Sequence, residues 1–202
     1  MGNSGKLRES FTNAEREALR ADGALTYTLV AETISDQRDS QAKKGKPSFR
    51  YLVNAGDRLT ASRNIEVAIY PAPGSFFVPG TFNRSVIEQE KLVEADAQEL
   101  RTRLGLENIG EILPDEAATL TQVVFQHLDA TGKWLFGQEY AKAQGLDWVY
   151  GRTKNPTNSS GSNVANVGDA SPDYGLYVFD WLRDRGYRHI GTVRLVVPVE
   201  IK

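Results

Sequence analysis

The sequence predicts a mixed α+β fold in a single compact domain, and three observations lead there. Apolar and polar residues alternate with a period of two along Leu25, Tyr27, Leu29 and Ala31, as a half-buried strand requires. A Ser85/Glu88 capping box opens a run in which Val86, Val93, Ala97, Leu100 and Leu104 recur at spacings of seven, four, three and four, on one face of a long helix. The 18 glycines and 8 prolines among 202 residues favour strands and turns over a helical bundle.

Taken in order, the chain divides into an N-terminal helical annex, residues 1–23, and an α+β binding domain, residues 24–202. In the annex Thr12 and Glu15 form a capping box before a helix over 13–21, which Gly23 stops. The strand from Ala24 follows. Residues 36–47 are read as a polar excursion, with Lys43, Lys44 and Lys46 on a solvated loop beside Gly45 and Pro47. A second strand covers 49–53, a turn 54–57, and a third strand 65–70, which Pro71 and Pro73 end. The long helix then runs to Gly105, with Glu88, Glu90, Lys91, Glu94, Glu99 and Arg101 on its solvent side.

Beyond it, Leu120–Leu128 and Lys133–Phe136 are read as a hairpin turning on Thr131-Gly132, although Pro114-Asp115-Glu116 offers an alternative helix start. Residues 138–144 form a turn or two of helix ended by Gly145. Residues 147–150 are strand-like, and Asn155-Pro156-Thr157 starts a loop. No internal repeat is present.

Composition excludes several function classes. A formal net charge of -2 provides no field for a polyanion, so no nucleic-acid partner is expected. The chain has no cysteine, hence no disulfide, no thiolate nucleophile and no Cys-type metal site. Residues 2–9 lack the apolar core of a secretory signal, and no stretch approaches the roughly 20 apolar residues of a membrane span. Synthesis is therefore cytoplasmic, and the compartment of action stays open. His127 and His189 have no second ligand at metal spacing, and His127 is expected as a packed strand residue. There is no Gly-x-Ser-x-Gly elbow and no Gly-x-x-x-x-Gly-Lys-Ser/Thr loop. No metal and no cofactor are expected.

The most informative stretch is 158–202. A small-residue run, Asn158 to Asn163, and an apolar tail, Val193 to Val199, bracket an interior of mixed aromatics and arginines. Such side chains offer large contact area and several donors for little entropy, as recognition surfaces do. Tyr177, Phe179 and Trp181 are spaced by two and share one strand face, while Leu176 and Val178 lie on the other and suit a core. The aromatic face is then either core itself or free for a ligand. Arg183 to Arg188 is too polar to bury. The expected ligand-binding residues are Asp169, Ala170, Asp173, Tyr174, Tyr177, Phe179, Trp181, Arg183, Asp184, Arg185, Tyr187, Arg188 and His189, and the expected partner is a macromolecule, a protein before any other. The alternative is a small hydrolase or transferase with Asp180, Asp184 and His189 in a cleft.

Gly161-Ser162, the long intervening segment and the closing Val193-Arg194-Leu195-Val196 together resemble the C-terminal part of C-type-lectin-like folds, in the branch that holds formylglycine-generating enzymes and retroelement-diversified variable proteins. The resemblance covers the last quarter of the chain, with Asn163 where an aromatic usually follows Gly-Ser. It implies small twisted antiparallel sheets with one long flanking helix, and a display of ligand-contacting side chains between the two anchors. The enzymatic members use cysteines, which this chain lacks. The Glu-Pro-Asn or Gln-Pro-Asp triplet of calcium-dependent sugar binding is also missing, since Asn155-Pro156-Thr157 has no carboxylate. What the resemblance leaves is a non-enzymatic, variable-protein-like binding module.

Overall fold

The computed structural model describes residues 6–200. Residues 1–5 of the expected annex and residues 201–202 of the expected domain lie outside the described residues. In chain order the elements are β1 (Lys6–Leu7), α1 (Asn13–Ala21), β2 (Leu25–Leu29), α2 (Ile34–Lys43), β3 (Phe49–Leu52), a 3-10 turn (Gly56–Arg58) and β4 (Ile65–Ile69). There follow α3 (Val86–Leu104), β5 (Ile109–Glu111), α4 (Ala117–Thr131), α5 (Gln138–Ala143), β6 (Tyr150–Pro156), β7 (Asn163–Ser171), β8 (Gly175–Leu182), β9 (Ile190–Gly191) and β10 (Leu195–Glu200). The fold is α+β, as expected, with two five-stranded sheets and five α-helices among the described residues.

Sheet 1 runs β1-β10-β4-β2, with β5 also on β10, all antiparallel. Its central strands are apolar in succession, which requires cover on both faces. Ala68, Tyr70 and Val196 pack with Phe11, Leu19 and Leu100 of the N-terminal segment and α3, while Val67, Ile69, Leu195 and Val197 face the main core. The N-terminal segment is thus built into this sheet: Leu19 is fully buried, and β1 pairs with β10 through Leu7 and Val199.

Sheet 2 runs β3-β8-β7-β6-β9, with β3 and β9 parallel to their neighbours. Its inner face, including Ala165, Val167, Leu176 and Val178, packs on α4 together with Phe76, Phe77, Trp134 and Phe136. The layers are therefore helices α1 and α3, sheet 1, helix α4, sheet 2. Gly151 marks the closeness of that packing, because a Cβ there would lie 2.9 Å from both Phe136 and Val193.

One expectation about the sheets needs correction, since sheet 2 is mixed rather than antiparallel, with β3 and β9 pairing in parallel, and so do three about single elements. The stretch 120–128 is not a hairpin strand but the middle of α4, and Gly132, at φ 71, caps the helix rather than turning a hairpin. A helix buried almost all round has no polar stripe, so its period is hidden. His127 accordingly sits on a helix, buried, with Nδ1 2.7 Å from the Tyr27 hydroxyl. Residues 36–47 are not merely a polar loop: Thr33 and Asp36 form a capping box for α2, whose buried residues include Gln37 and Gln41. Gln37 donates to the Ala118 carbonyl and accepts from Thr121, so amide hydrogen bonds seat this helix on α4. Lys44 and Lys46 are tied to Asp129 at 2.5 and 2.6 Å. The third correction concerns the bounds of β6, which begins at Tyr150 rather than at 147 and continues through Asn155-Pro156 instead of opening a loop there. The capping box of α3 and its left-handed Gly105 end are as expected, with Val86, Val93, Ala97 and Leu100 buried. No helix among the described residues is long and apolar enough to cross a membrane.

Candidate functional site

Directly opposed residues of paired strands share a face, so the register of sheet 2 fixes what its outer side presents. One row across the sheet is Tyr51, Tyr177, Gly168 and Tyr150; the next is Phe179, Asn166 and Arg152; a third joins Trp181 to Val164. The aromatic triad of β8 therefore points away from α4. Gly168 in the first row admits no side chain, since a Cβ would lie 2.3 Å from the Val149 carbonyl oxygen.

The rings form a broken strip. At one end Tyr51 stacks on Tyr177 at 6.3 Å, and the Arg50 guanidinium lies 4.0 Å from the Tyr174 ring centroid. In the middle Tyr150 meets Phe179 at 4.4 Å. At the other end Trp181 stacks on Tyr187 at 4.6 Å, Tyr187 meets His189 at 5.1 Å, and His189 stacks on Trp148 at 4.5 Å. Tyr174, Tyr51 and Trp148 are 60%, 49% and 39% exposed, which is unusual for large rings and marks a surface that nothing within the described residues covers.

Asp169 sits beside this strip in a bulge of β7, with a φ of 47 that a non-glycine residue seldom adopts. It is half-buried. Burial raises its carboxyl above the ordinary range, opposed by the Tyr150 hydroxyl and by Arg50.

The segment 183–188 is held firmly at the Trp181 end. Trp181 Nε1 donates to the Gly186 carbonyl at 3.3 Å, and the backbone N–H groups of Val86 and Asn83 donate to the carbonyls of Arg183 and Tyr187. Gly186 is required for this approach, because a Cβ would lie 2.4 Å from the Asn83 oxygen. Beneath the segment lies Arg152, fully buried, donating to the carbonyls of Leu182 (3.1 Å), Arg185 (3.1 Å) and Arg84 (3.3 Å). Burial lowers this guanidinium to about 10, so it stays charged at neutral pH.

The expected contact residues divide accordingly. Tyr174, Tyr177, Phe179, Trp181, Tyr187, Asp169, Arg183, Asp184, Arg185 and Arg188 lie on or around the outer face, partly or fully exposed, and Asp173 is exposed on the β7–β8 turn. Ala170 does not: it is 7% exposed and belongs to the main core. His189 is 3% exposed and contributes by supporting the rings on either side of it. Its pKa is lowered by burial first and by Arg188 second.

The alternative catalytic set is not assembled. Asp180 lies on the opposite face of β8 from the triad and accepts from Thr157 and Asn163 at 2.9 and 2.8 Å, while His189 is enclosed among rings. Nor does that set line the cleft of about 320 Å³ on the far side of sheet 1, bounded by Asp22, Tyr70, Asp96, Glu99, Arg103 and Arg194. There Arg194 forks onto Asp96 at 2.7 and 2.8 Å, and Tyr70 donates to Asp22. Among the described residues no group of three or more His, Asp or Glu is placed to hold a metal ion.

Reading the sequence alone missed Arg50, Tyr51, Trp148, Tyr150 and Arg152. Tyr51 had a signal, the alternation in Phe49-Arg50-Tyr51-Leu52, but its place beside Tyr177 depends on a parallel pairing with no local signature. Arg152 had none. No protein-family model, curated protein or solved structure matches this chain.

Proposed function

We propose that this chain is a non-enzymatic binding module that presents the outer face of sheet 2 to a protein partner. The observation behind the proposal is the aromatic strip from Tyr174 to Trp148, exposed at Tyr174, Tyr51 and Trp148 and part-exposed at Tyr177, Phe179, Trp181 and Tyr187, with the buried Tyr150 and His189 supporting it. Aromatic residues and arginine on a rigid sheet lose little entropy on contact, which is the composition of interaction hot spots. The C-type-lectin-like reading is part of the same proposal. It is supported by two small sheets, one long flanking helix and a display segment that falls between the Gly161-Ser162 opening and the closing strand β10.

The test is selection of binders from a phage-displayed dodecapeptide library, followed by titration of the selected peptides against Tyr51→Ser/Tyr177→Ser/Phe179→Ser. Binding that falls at least about tenfold, the equivalent of 1.4 kcal/mol, supports the proposal. Peptides that bind this variant as tightly as the parent, or a selection that yields none, would sink it.

A further inference from the structure

We infer that the partner surface reading the Trp181 end of this face is an acidic protein segment, with Asp or Glu side chains set against the 183–188 loop. The inference rests on the proposed binding role of the outer face and adds the chemistry of what binds there.

Charge at this end is unbalanced. Arg183, Arg185 and Arg188 take part in no ion pair among the described residues, and Arg84 is matched by Glu88. The neighbouring carboxylates are Asp184, within the loop, Asp180, on the opposite face of β8 and held by Thr157 and Asn163, and Asp147, next to Trp148. A chain with a formal net charge of -2 therefore concentrates positive charge at one end of one face.

Arg152 is the independent observation. Its guanidinium is fully buried directly under the loop, its acceptors are three backbone carbonyls and no carboxylate, and its Nε has no partner. A buried charge without a counter-ion is costly, and replacing such groups by apolar residues is often neutral or stabilising. Fold stability alone does not account for it. Its position accounts for it better: it fixes the carbonyls of Leu182 and Arg185, so the part-exposed Arg183 and the exposed Arg185 stand on a backbone already ordered before contact. It also adds positive potential from below, where low dielectric screens little. Carboxylates docked from outside would supply the missing counter-charge. They would be read by guanidinium forks, which match carboxylate geometry in pairs, while the adjoining Trp181 and Tyr187 stack takes the apolar part of the segment.

The dodecapeptide selection separates this inference from the one beneath it. Peptides that require the Tyr51/Tyr177/Phe179 face should carry net negative charge, lose about tenfold or more on Arg183→Gln/Arg185→Gln/Arg188→Gln, and weaken by a similar factor on the parent protein between about 50 mM and about 500 mM salt, as screening shortens to a few ångströms. The salt series uses the unaltered protein, so it decides the matter even if the triple variant folds poorly. Face-dependent peptides with no acidic bias and no salt response would overturn the acidic partner while leaving the binding face intact. No face-dependent peptides at all would remove both. Oligo-dT binding at the same loop more tightly than the acidic peptides would also overturn it, in favour of a nucleic-acid ligand.

Discussion

Strand β4 of sheet 1 and strand β8 of sheet 2 differ in one respect that explains most of the molecule: β4 has a packed layer on each side, and β8 has one on the inside only. The outer rows of its neighbours β7 and β6 are nonetheless buried at Val164, Asn166, Arg152 and Tyr150. In sheet 1 every residue of β4 is buried, and its alternate residues serve two separate clusters. In β8 of sheet 2 the inward Leu176 and Val178 are fully buried, while the outward Tyr177, Phe179 and Trp181 are partly exposed. The same pleat thus produces scaffold where both faces are covered and display where one is not. Rigidity comes from the covered strands and availability from the outer side of β3 and β8.

The comparison breaks most visibly if charge is placed on each sheet in turn. Leu195→Asp, in β10, should leave no cooperative thermal transition by circular dichroism, because a carboxylate buried there has no partner. Tyr177→Asp on the outer face should leave a folded protein. If both unfold, the aromatic face is core after all.

A smaller effect is expected between sheet 1 and α3. Leu100→Ala should cost about 2–5 kcal/mol, the range for a truncated buried leucine, in urea unfolding. Glu94→Ala, on the exposed side of the same helix, should cost less than about 0.5 kcal/mol.

Covering sheet 1 so completely also buries Glu111, whose carboxyl oxygens accept no hydrogen bond although Arg194 Nε lies 3.3 Å away. Burial first, and then the neighbouring Asp96, push this carboxyl up to about 9, with Arg194 and Arg103 opposing. A folded value above the unfolded one means stability that is full below about 4.5 and lost as pH rises towards 9. The parent should therefore lose more than about 1 kcal/mol relative to Glu111→Gln between pH 5 and pH 9 in urea midpoints, since the amide has nothing to ionise. Parallel pH curves for the two proteins would contradict this.

The smallest effects belong to the open face. Tyr51→Ser and Tyr174→Ser should each shift stability by less than about 0.5 kcal/mol, as for exposed residues off the core. A larger loss would mean that the strip holds sheet 2 together.

The sequence was most legible where one face differs from the other. The α3 stripe, the period of two in β2 and the split of β8 into Leu176/Val178 and Tyr177/Phe179/Trp181 all report an asymmetric environment. Legibility fails where that asymmetry is missing or is built from polar groups. Helix α4 is enclosed all round from Ala117 to Phe125, so no stripe exists to detect there, and α2 seats itself through Gln37 and Gln41. The site divides in the same way. The β8 aromatics were visible within eight residues of chain, but Tyr51, Trp148 and Arg152 join them only through strand pairings and loop contacts between distant segments.

The last strand of the described chain lies in the middle of sheet 1: β10 has β4 on one edge and β5 on the other, with β1 pairing at Val199 and Glu200. As the polypeptide emerges from the ribosome, β4 keeps one hydrogen-bonding edge open until Leu195 and Val196 arrive. Domains ordinarily fold while synthesis continues, but here sheet 1 lacks its central strand until β10 is made. Contacts between residues so far apart slow the search, and a nascent chain paused before Leu195 leaves the facing edges of β4 and β5 open to non-native pairing.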